Sequence, residues 1–248
     1  MDTFRRKRQK EVGQKYYQTQ MRQLKGFFKY IKNDTIENMY LEFSEPPRPN
    51  VIWLSKEETT KLLKAIETPL EKLMVHLGLE LGLRMIEMRR LRVQNFNQST
   101  ETIQVRGKGR NGGKWRTLPY HEETKRILKI WMKERKRIVE YAKECEPDVE
   151  IPDNLIIYYN RAWKVGTHNK TGMLRILKVL VTRAKINPKC AFHTLRRTFG
   201  RTLYLNDVGI ESIAKLLGHS DTRNTLLYIG INITDMSDAL KKGARFRS

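Results

Sequence analysis

Apolar residues recur at helical spacing along most of this chain. Tyr17, Met21, Leu24, Phe28 and Ile31 share one stripe, with Arg22, Lys25, Lys29 and Lys32 between them, the pattern of an amphipathic helix. A second short helix is predicted over 36–43. Pro46, Pro47 and Pro49 then end helical structure, because proline lacks the backbone N–H and clashes with the preceding turn. Residues 46–54 read as a linker, dividing an N-terminal helical segment, 1–45, from a larger domain, 55–248.

Within the larger domain, Ser55 with Glu58 three residues on is a capping box. The helix it opens carries Leu62, Leu63 and Ile66. Pro69 suits the first turn of the next helix, whose buried stripe is Leu70, Leu73, Met74 and Leu77. Gly82 precedes another helical stretch from Arg84. Thr102–Arg106 and Trp115–Leu118 read as paired strands around a glycine-rich tip, Gly107-Lys108-Gly109-Arg110-Asn111-Gly112-Gly113-Lys114. A long helix carrying Ile127, Leu128, Trp131, Ile138 and Val139 follows, then a loop over 147–152. Further helices are predicted over 170–185, 194–205 and 210–217, with a short one ending near Tyr228. The class is mainly α with a small antiparallel β-sheet.

Charge narrows the partner. The 248 residues hold 49 Lys+Arg against 27 Asp+Glu, a formal net charge of +22. Such a chain attracts polyanions, and neutralising nucleic-acid phosphates releases counterions. The run from Arg5 to Lys10 reads as a basic arm. Cys145 and Cys190 form no CxxC pair, so neither a zinc site nor a disulfide framework is expected. No apolar run has the length of a membrane span, and no signal-peptide core follows the N-terminal charges. A cytoplasmic, DNA-associated location with no membrane contact is the expectation. No GxxxxGK[ST] loop or carboxylate cluster is present, so no cofactor and no metal are expected.

Several residues carry candidate chemistry. Leu81-Gly82-Leu83-Arg84 is followed by Glu87. The hairpin contains Gly107-Lys108-Gly109. Downstream stand His193-Thr194-Leu195-Arg196-Arg197 and Leu217-Gly218-His219, and Tyr228 lies nine residues past His219. A lone tyrosine would read as packing or surface, and Arg84 alone as a solvated helix residue. Their ordered occurrence argues otherwise. In that order and spacing the motifs resemble the tyrosine recombinase (phage-integrase) family, over Arg84 to Tyr228.

The physical reading agrees with what the resemblance implies. Attack on a phosphodiester builds negative charge on the non-bridging oxygens, which fixed cations stabilise. Arginine suits this, since its planar fork binds two oxygens and keeps its charge. Arg84 and Arg196 are the expected pair, and Glu87 the residue that orients them. Tyr228 is the expected nucleophile, with His193 accepting or relaying its proton. His219 is expected to hydrogen-bond the scissile phosphate. Lys108 is expected to protonate the departing 5′ oxygen, with Lys114 as a rival. Arg106, Arg110, Lys114 and Arg197 are expected DNA contacts. His76, His121 and His168 match no motif and read as structural or exposed.

The resemblance implies the tyrosine recombinase catalytic-domain fold, double-stranded DNA as partner, and a tetramer on paired sites joining strands through a 3′-phosphotyrosine. The family places a larger helical clamp before this domain, so 1–45 is expected to be a partial one. The tail, with Ile233, Met236 and Leu240 on one face, is expected to pack on a neighbouring subunit. A type IB topoisomerase, or a non-catalytic DNA-binding protein, are the alternatives.

Overall fold

A computed structural model describes residues 14–32, 51–107, 113–159, 165–219 and 221–230. The chain forms two compact units, Met1–Asn50 and Val51–Ser248. In the first, helix α1 (Gln14–Tyr30) buries Tyr17 and Met21 and half-buries Leu24 and Phe28 of the stripe its spacing predicts, while Ile31, just past its end, is exposed. The helix predicted over 36–43, the basic arm from Arg5 to Lys10 and the tail with Ile233, Met236 and Leu240 lie outside the described residues.

The second unit is built around one helix. Helix α2 (Lys56–Lys64) starts at the expected capping box, with Ser55 Oγ accepting from Glu58 N–H at 3.1 Å and Glu58 accepting from Ser55 N–H at 3.0 Å. Helix α3 (Pro69–Leu79) has a second capping box, Thr68 with Glu71, and proline at its first turn. Residues Leu73 through Leu79 of α3 are all buried, so its apolar residues go all round rather than forming one stripe. It packs against α5 (Glu122–Cys145) and α7 (Phe192–Leu205). Trp131 of α5 is buried and donates from Nε1 to the Leu155 carbonyl at 2.8 Å.

After α3 the chain reverses at Gly82, whose φ of +58° is costly for any residue with a Cβ. An added Cβ would also lie 2.4 Å from the Phe199 ring. Gly82→Ala is expected to destabilise the domain by more than about 1 kcal/mol, strain and clash acting together. A lowered denaturant midpoint with unchanged m-value would report it. The turn leads into α4 (Met85–Arg90) and a 3₁₀ turn at Val93–Asn95.

The strands form a three-stranded antiparallel sheet in the order β1-β2-β3: β1 (Phe96–Asn97), β2 (Thr102–Arg106) and β3 (Trp115–Pro119). The register pairs Ile103 with Leu118, Val105 with Arg116 and Arg106 with Trp115. Ile103, Val105 and Leu118 enter the core. The sequence reading has only β2 and β3. β1 is a two-residue edge, and a second sheet pairs β4 (Ile157–Tyr159) with β5 (Val165–Thr167). Runs of two or three residues are too short to show alternation.

Helix α6 (Lys170–Arg183) is capped by the Asn169 side chain. Helix α7 begins at Phe192 rather than at 194, placing His193 in its first turn. Helix α8 (Ile210–Leu217) ends at Gly218, with φ of +64°. Helix α9 (Thr222–Ile229) begins where Asp221 accepts from Arg223 N–H at 2.8 Å. Among the described residues no helix is long and apolar enough to cross a membrane.

Candidate active site

The site gathers the Gly82 turn, the start of α4, strand β3, helix α7 and the α8–α9 turn. Glu87, 1% exposed, stands at its centre. Arg84 is the N-cap of α4, so its own N–H needs a partner. Glu87 accepts that N–H at 2.8 Å, and also Arg84 Nη1 at 2.8 Å. Arg116 approaches from β3 as a fork, with Nη1 and Nη2 each 2.9 Å from a Glu87 oxygen. Arg196 Nη1 lies 3.6 Å away.

Burial alone would raise the Glu87 pKa. The Arg116 hydrogen bonds and charge, the Arg84 N–H and the Arg196 charge outweigh it and hold the carboxyl at about 2. One carboxylate thus faces three guanidiniums, leaving net positive charge.

Arg196 is fully buried. Its Nη1 donates to the Gly82 carbonyl at 2.6 Å, and its Nη2 donates to the Leu217 carbonyl. Burial first, then the Arg84 charge, lowers its pKa to about 10, so it stays a cation at neutral pH. Its buried Nε has no partner among the described residues. Arg84 reaches the Leu217 carbonyl at 3.4 Å, and its side chain is 23% exposed.

The left-handed Gly218 turns the chain so that His219 faces Arg196. A Cβ there would lie 3.0 Å from Arg116 Cδ, and Arg116 Nε donates to the Leu216 carbonyl at 3.2 Å. His219 Nε2 is 3.2 Å from Arg196 Nη2, and Nδ1 is 2.9 Å from Thr225 Oγ1. A guanidinium only donates, so Nε2 accepts and Nδ1 carries the hydrogen toward Thr225. In this arrangement Nε2 has no hydrogen to give a phosphate oxygen. Burial, then Arg196, Arg84 and Arg116, lowers the His219 pKa to about 4, keeping it neutral.

Tyr228 on α9 completes the cluster. Its hydroxyl lies 3.3 Å from His193 Nδ1 and 3.3 Å from the His193 carbonyl. Arg197 Cζ lies 5.2 Å and Arg196 Cζ 5.8 Å from the centre of its ring. Burial raises the phenol pKa, while Arg196, Arg197 and Arg84 oppose the rise. His193 is shifted down by burial, then by Arg197, Arg196 and Arg84, so its neutral ring can take a proton.

The structure therefore brings together Arg84, Glu87, His193, Arg196, His219 and Tyr228. Arg197 sits against the Tyr228 ring. Arg106 does not join the cluster and stacks 5.9 Å from the Trp115 ring centre. Lys114 is exposed, and its carbonyl accepts from Gly107 N–H at 2.9 Å. Lys108 and Arg110 lie outside the described residues. Sequence reading missed Arg116. The signal was its inward position, two residues before Leu118 on an alternating strand. Among the described residues no group of three His, Cys, Asp or Glu is placed to hold a metal.

The histidines and Glu87 set the acid limit of stability. His76, which hydrogen-bonds Thr124 Oγ1 at 2.7 Å, is lowered by burial to about 4. With lowered folded-state pKa values, His76 and His219 leave the unfolded chain binding more protons between about 6.5 and 4. Stability therefore falls as pH drops through that window. The Glu87 contribution is complete above its ordinary 4.5 and is lost between there and about 2. Thermal midpoints at stepped pH are expected to decline in both windows, and His76→Gln to flatten the first.

The phage integrase family model matches residues 52–234. The chain is 25% identical over 246 residues to tyrosine recombinase XerC of Oceanobacillus iheyensis, covering 94% of this chain and 76% of that one. It is 25% identical over 232 residues to tyrosine recombinase XerD of Listeria innocua, covering 88% and 72%. Among solved structures, XerA recombinase superposes with a TM-score of 0.64 at 20% identity, covering 94% and 78%. The Tn1549 transposon integrase in complex with circular intermediate DNA gives 0.67 at 16%, covering 95% and 81%.

Proposed function

Because the chain belongs to the phage integrase family, we propose that Tyr228 is the residue through which it breaks and rejoins DNA. The activity is site-specific DNA recombination, and the chain is a tyrosine-type recombinase. Relatives in solved structures are bound to DNA, and DNA is the partner here.

In the proposed step the Tyr228 oxygen attacks the phosphorus and the P–O5′ bond breaks. A 3′-phosphotyrosine forms and a 5′-hydroxyl leaves. His193 takes the phenol proton, and Lys108 supplies one to the departing oxygen. Arg84, the most exposed of the three guanidiniums around Glu87, meets the non-bridging oxygens, and Arg196 joins it once an Nη leaves its carbonyl partner. His219 reaches the phosphate once its Nε2 carries a hydrogen, and Glu87 orients the arginines. Arg106, Arg110, Lys114 and Arg197 contact DNA around this centre. The ester keeps the energy of the broken diester, so a free 5′-hydroxyl reverses the step without ATP. Residues 1–45 act as a short clamp, 46–54 as the linker and 55–248 as the catalytic domain with its tail, four protomers meeting on paired sites.

The observation that carries this reading is the Tyr228 hydroxyl, 3.3 Å from His193 Nδ1 beneath two guanidiniums. The test is trapping on nicked duplexes without added metal, then mapping of the linked peptide. The expected adduct joins a 3′-phosphate to Tyr228. An adduct on another residue, or on a 5′-phosphate, overturns the assignment.

A further inference from the structure

Strand β3 has two faces. Successive side chains on a strand point to opposite sides, so Arg116 enters the Glu87 cluster while Trp115 leaves it. Trp115 pairs with Arg106 across the ribbon, and both are exposed, Trp115 at 57%. Helix α4 divides in the same way. Arg84 and Glu87 at its start belong to the active site, and Arg90 at its end points elsewhere.

On that outer side lies a cleft of 480 Å³, lined by Arg90, Arg92, Arg106 and Trp115 together with amide side chains. Among the described residues no acidic side chain lines it. Arg90 and Arg92 are exposed and form no ion pair with any described residue. Arg90 and Arg92, two like charges at one cavity, repel one another unless an anion joins them.

The backbone beneath is fixed. The Arg92 N–H donates to Asn95 Oδ1 at 2.8 Å, and Arg92 bridges to Asn154. Asn154 in turn donates to the Arg89 carbonyl at 3.0 Å. The arginine fork matches a phosphodiester, and an exposed indole offers an apolar face to a sugar.

We infer that this cleft is a second DNA-backbone site, separate from the Tyr228 centre, in which Arg90 and Arg92 hold phosphates and Trp115 packs on the deoxyribose between them. It rests on the recombinase reading only in taking DNA as the ligand. Phosphate contacts of this kind position a duplex without reading its sequence. The cleft would hold the strand while the nucleophile acts on the other side of the ribbon.

The test is equilibrium binding of the full chain to a linear duplex of random sequence across a salt series. Each phosphate contact contributes about 0.9 to the log–log salt slope. Arg90→Gln with Arg92→Gln is expected to make the slope shallower by about two. Arg90→Lys with Arg92→Lys is expected to keep most of it. Trp115→Ala is expected to weaken binding without altering the slope. Adduct yield at saturating protein on the nicked duplex is expected to stay at the wild-type level in all three. An unchanged slope in the glutamine variant, with an unchanged thermal midpoint, overturns the inference. So does a self-association without DNA that the glutamine variant alone abolishes, which would make the cleft a contact between copies. Wild-type protein that binds with the expected slope but forms no adduct would instead remove the Tyr228 assignment and leave the cleft standing.

Discussion

Replacing Tyr228 with phenylalanine is expected to remove the covalent protein–DNA adduct while leaving DNA binding within a few-fold of wild type. The change deletes one oxygen. The ring stays in place, held near Arg196, Arg197 and His219, whose ring centre lies 5.3 Å away. The lost hydrogen bond to His193 is worth about 0.5–1.5 kcal/mol, so the fold persists. What disappears is the nucleophile, and removing a nucleophile lowers turnover by about 10⁴-fold or more. Denaturing gels measure the adduct, and a gel shift on the same DNA measures binding. An adduct that survives the substitution would show that another side chain attacks. Loss of binding along with the adduct would show that the tyrosine is structural.

Replacing Glu87 with alanine is expected to cause the second large effect, on stability as well as activity. Its carboxylate accepts hydrogen bonds from Arg84 and Arg116 and lies near Arg196. Without it, three guanidiniums face one another with no counter-charge in a buried space. Breaking a buried ion pair from one side costs about 3–5 kcal/mol, a large share of a domain's stability. The expected result is a lowered denaturant midpoint together with loss of adduct. Glu87→Gln keeps the shape and one acceptor oxygen, so it should recover part of the stability but not the charge balance.

Arg116→Ala separates a positioning role from a packing role. It frees one end of Glu87 and removes the support under the Leu216–Gly218 turn. His219 would then lose its fixed aspect toward Arg196. The adduct rate is expected to fall, and its pH dependence to shift as His219 regains a more ordinary pKa. A variant that weakened packing alone would slow the reaction without moving that profile.

How much of this was legible in advance depends on the range of the interactions. Local rules located α2 and α3, because a capping box needs only four consecutive residues. Spacing located Arg84, Arg196, His219 and Tyr228, since motifs survive as sequence. Spacing carried no information on what Arg196 touches. Its carbonyl partners, Gly82 and Leu217, lie 114 and 21 residues away. Arg197 shows the same limit. Expected from the sequence only as a DNA contact, it has its guanidinium 5.2 Å from the centre of the Tyr228 ring. Arg116 was hidden among 49 basic residues, although strand alternation marked it as inward. The strands β1, β4 and β5 were too short for any periodic signal.

The buried Arg196 has a consequence for when the proposed centre can form. Its guanidinium is held by carbonyls from the turn after α3 and from the end of α8. Those segments are far apart in the sequence, with α4 to α7 and strands β1 to β5 between them, so they meet only when the intervening elements have folded. A nascent chain that ends before α8 carries Arg84, Glu87, Arg116, His193 and Arg196 and still has no assembled centre. The proposed centre therefore needs both distant segments in place, and a chain missing either one lacks the arrangement that fixes Arg196.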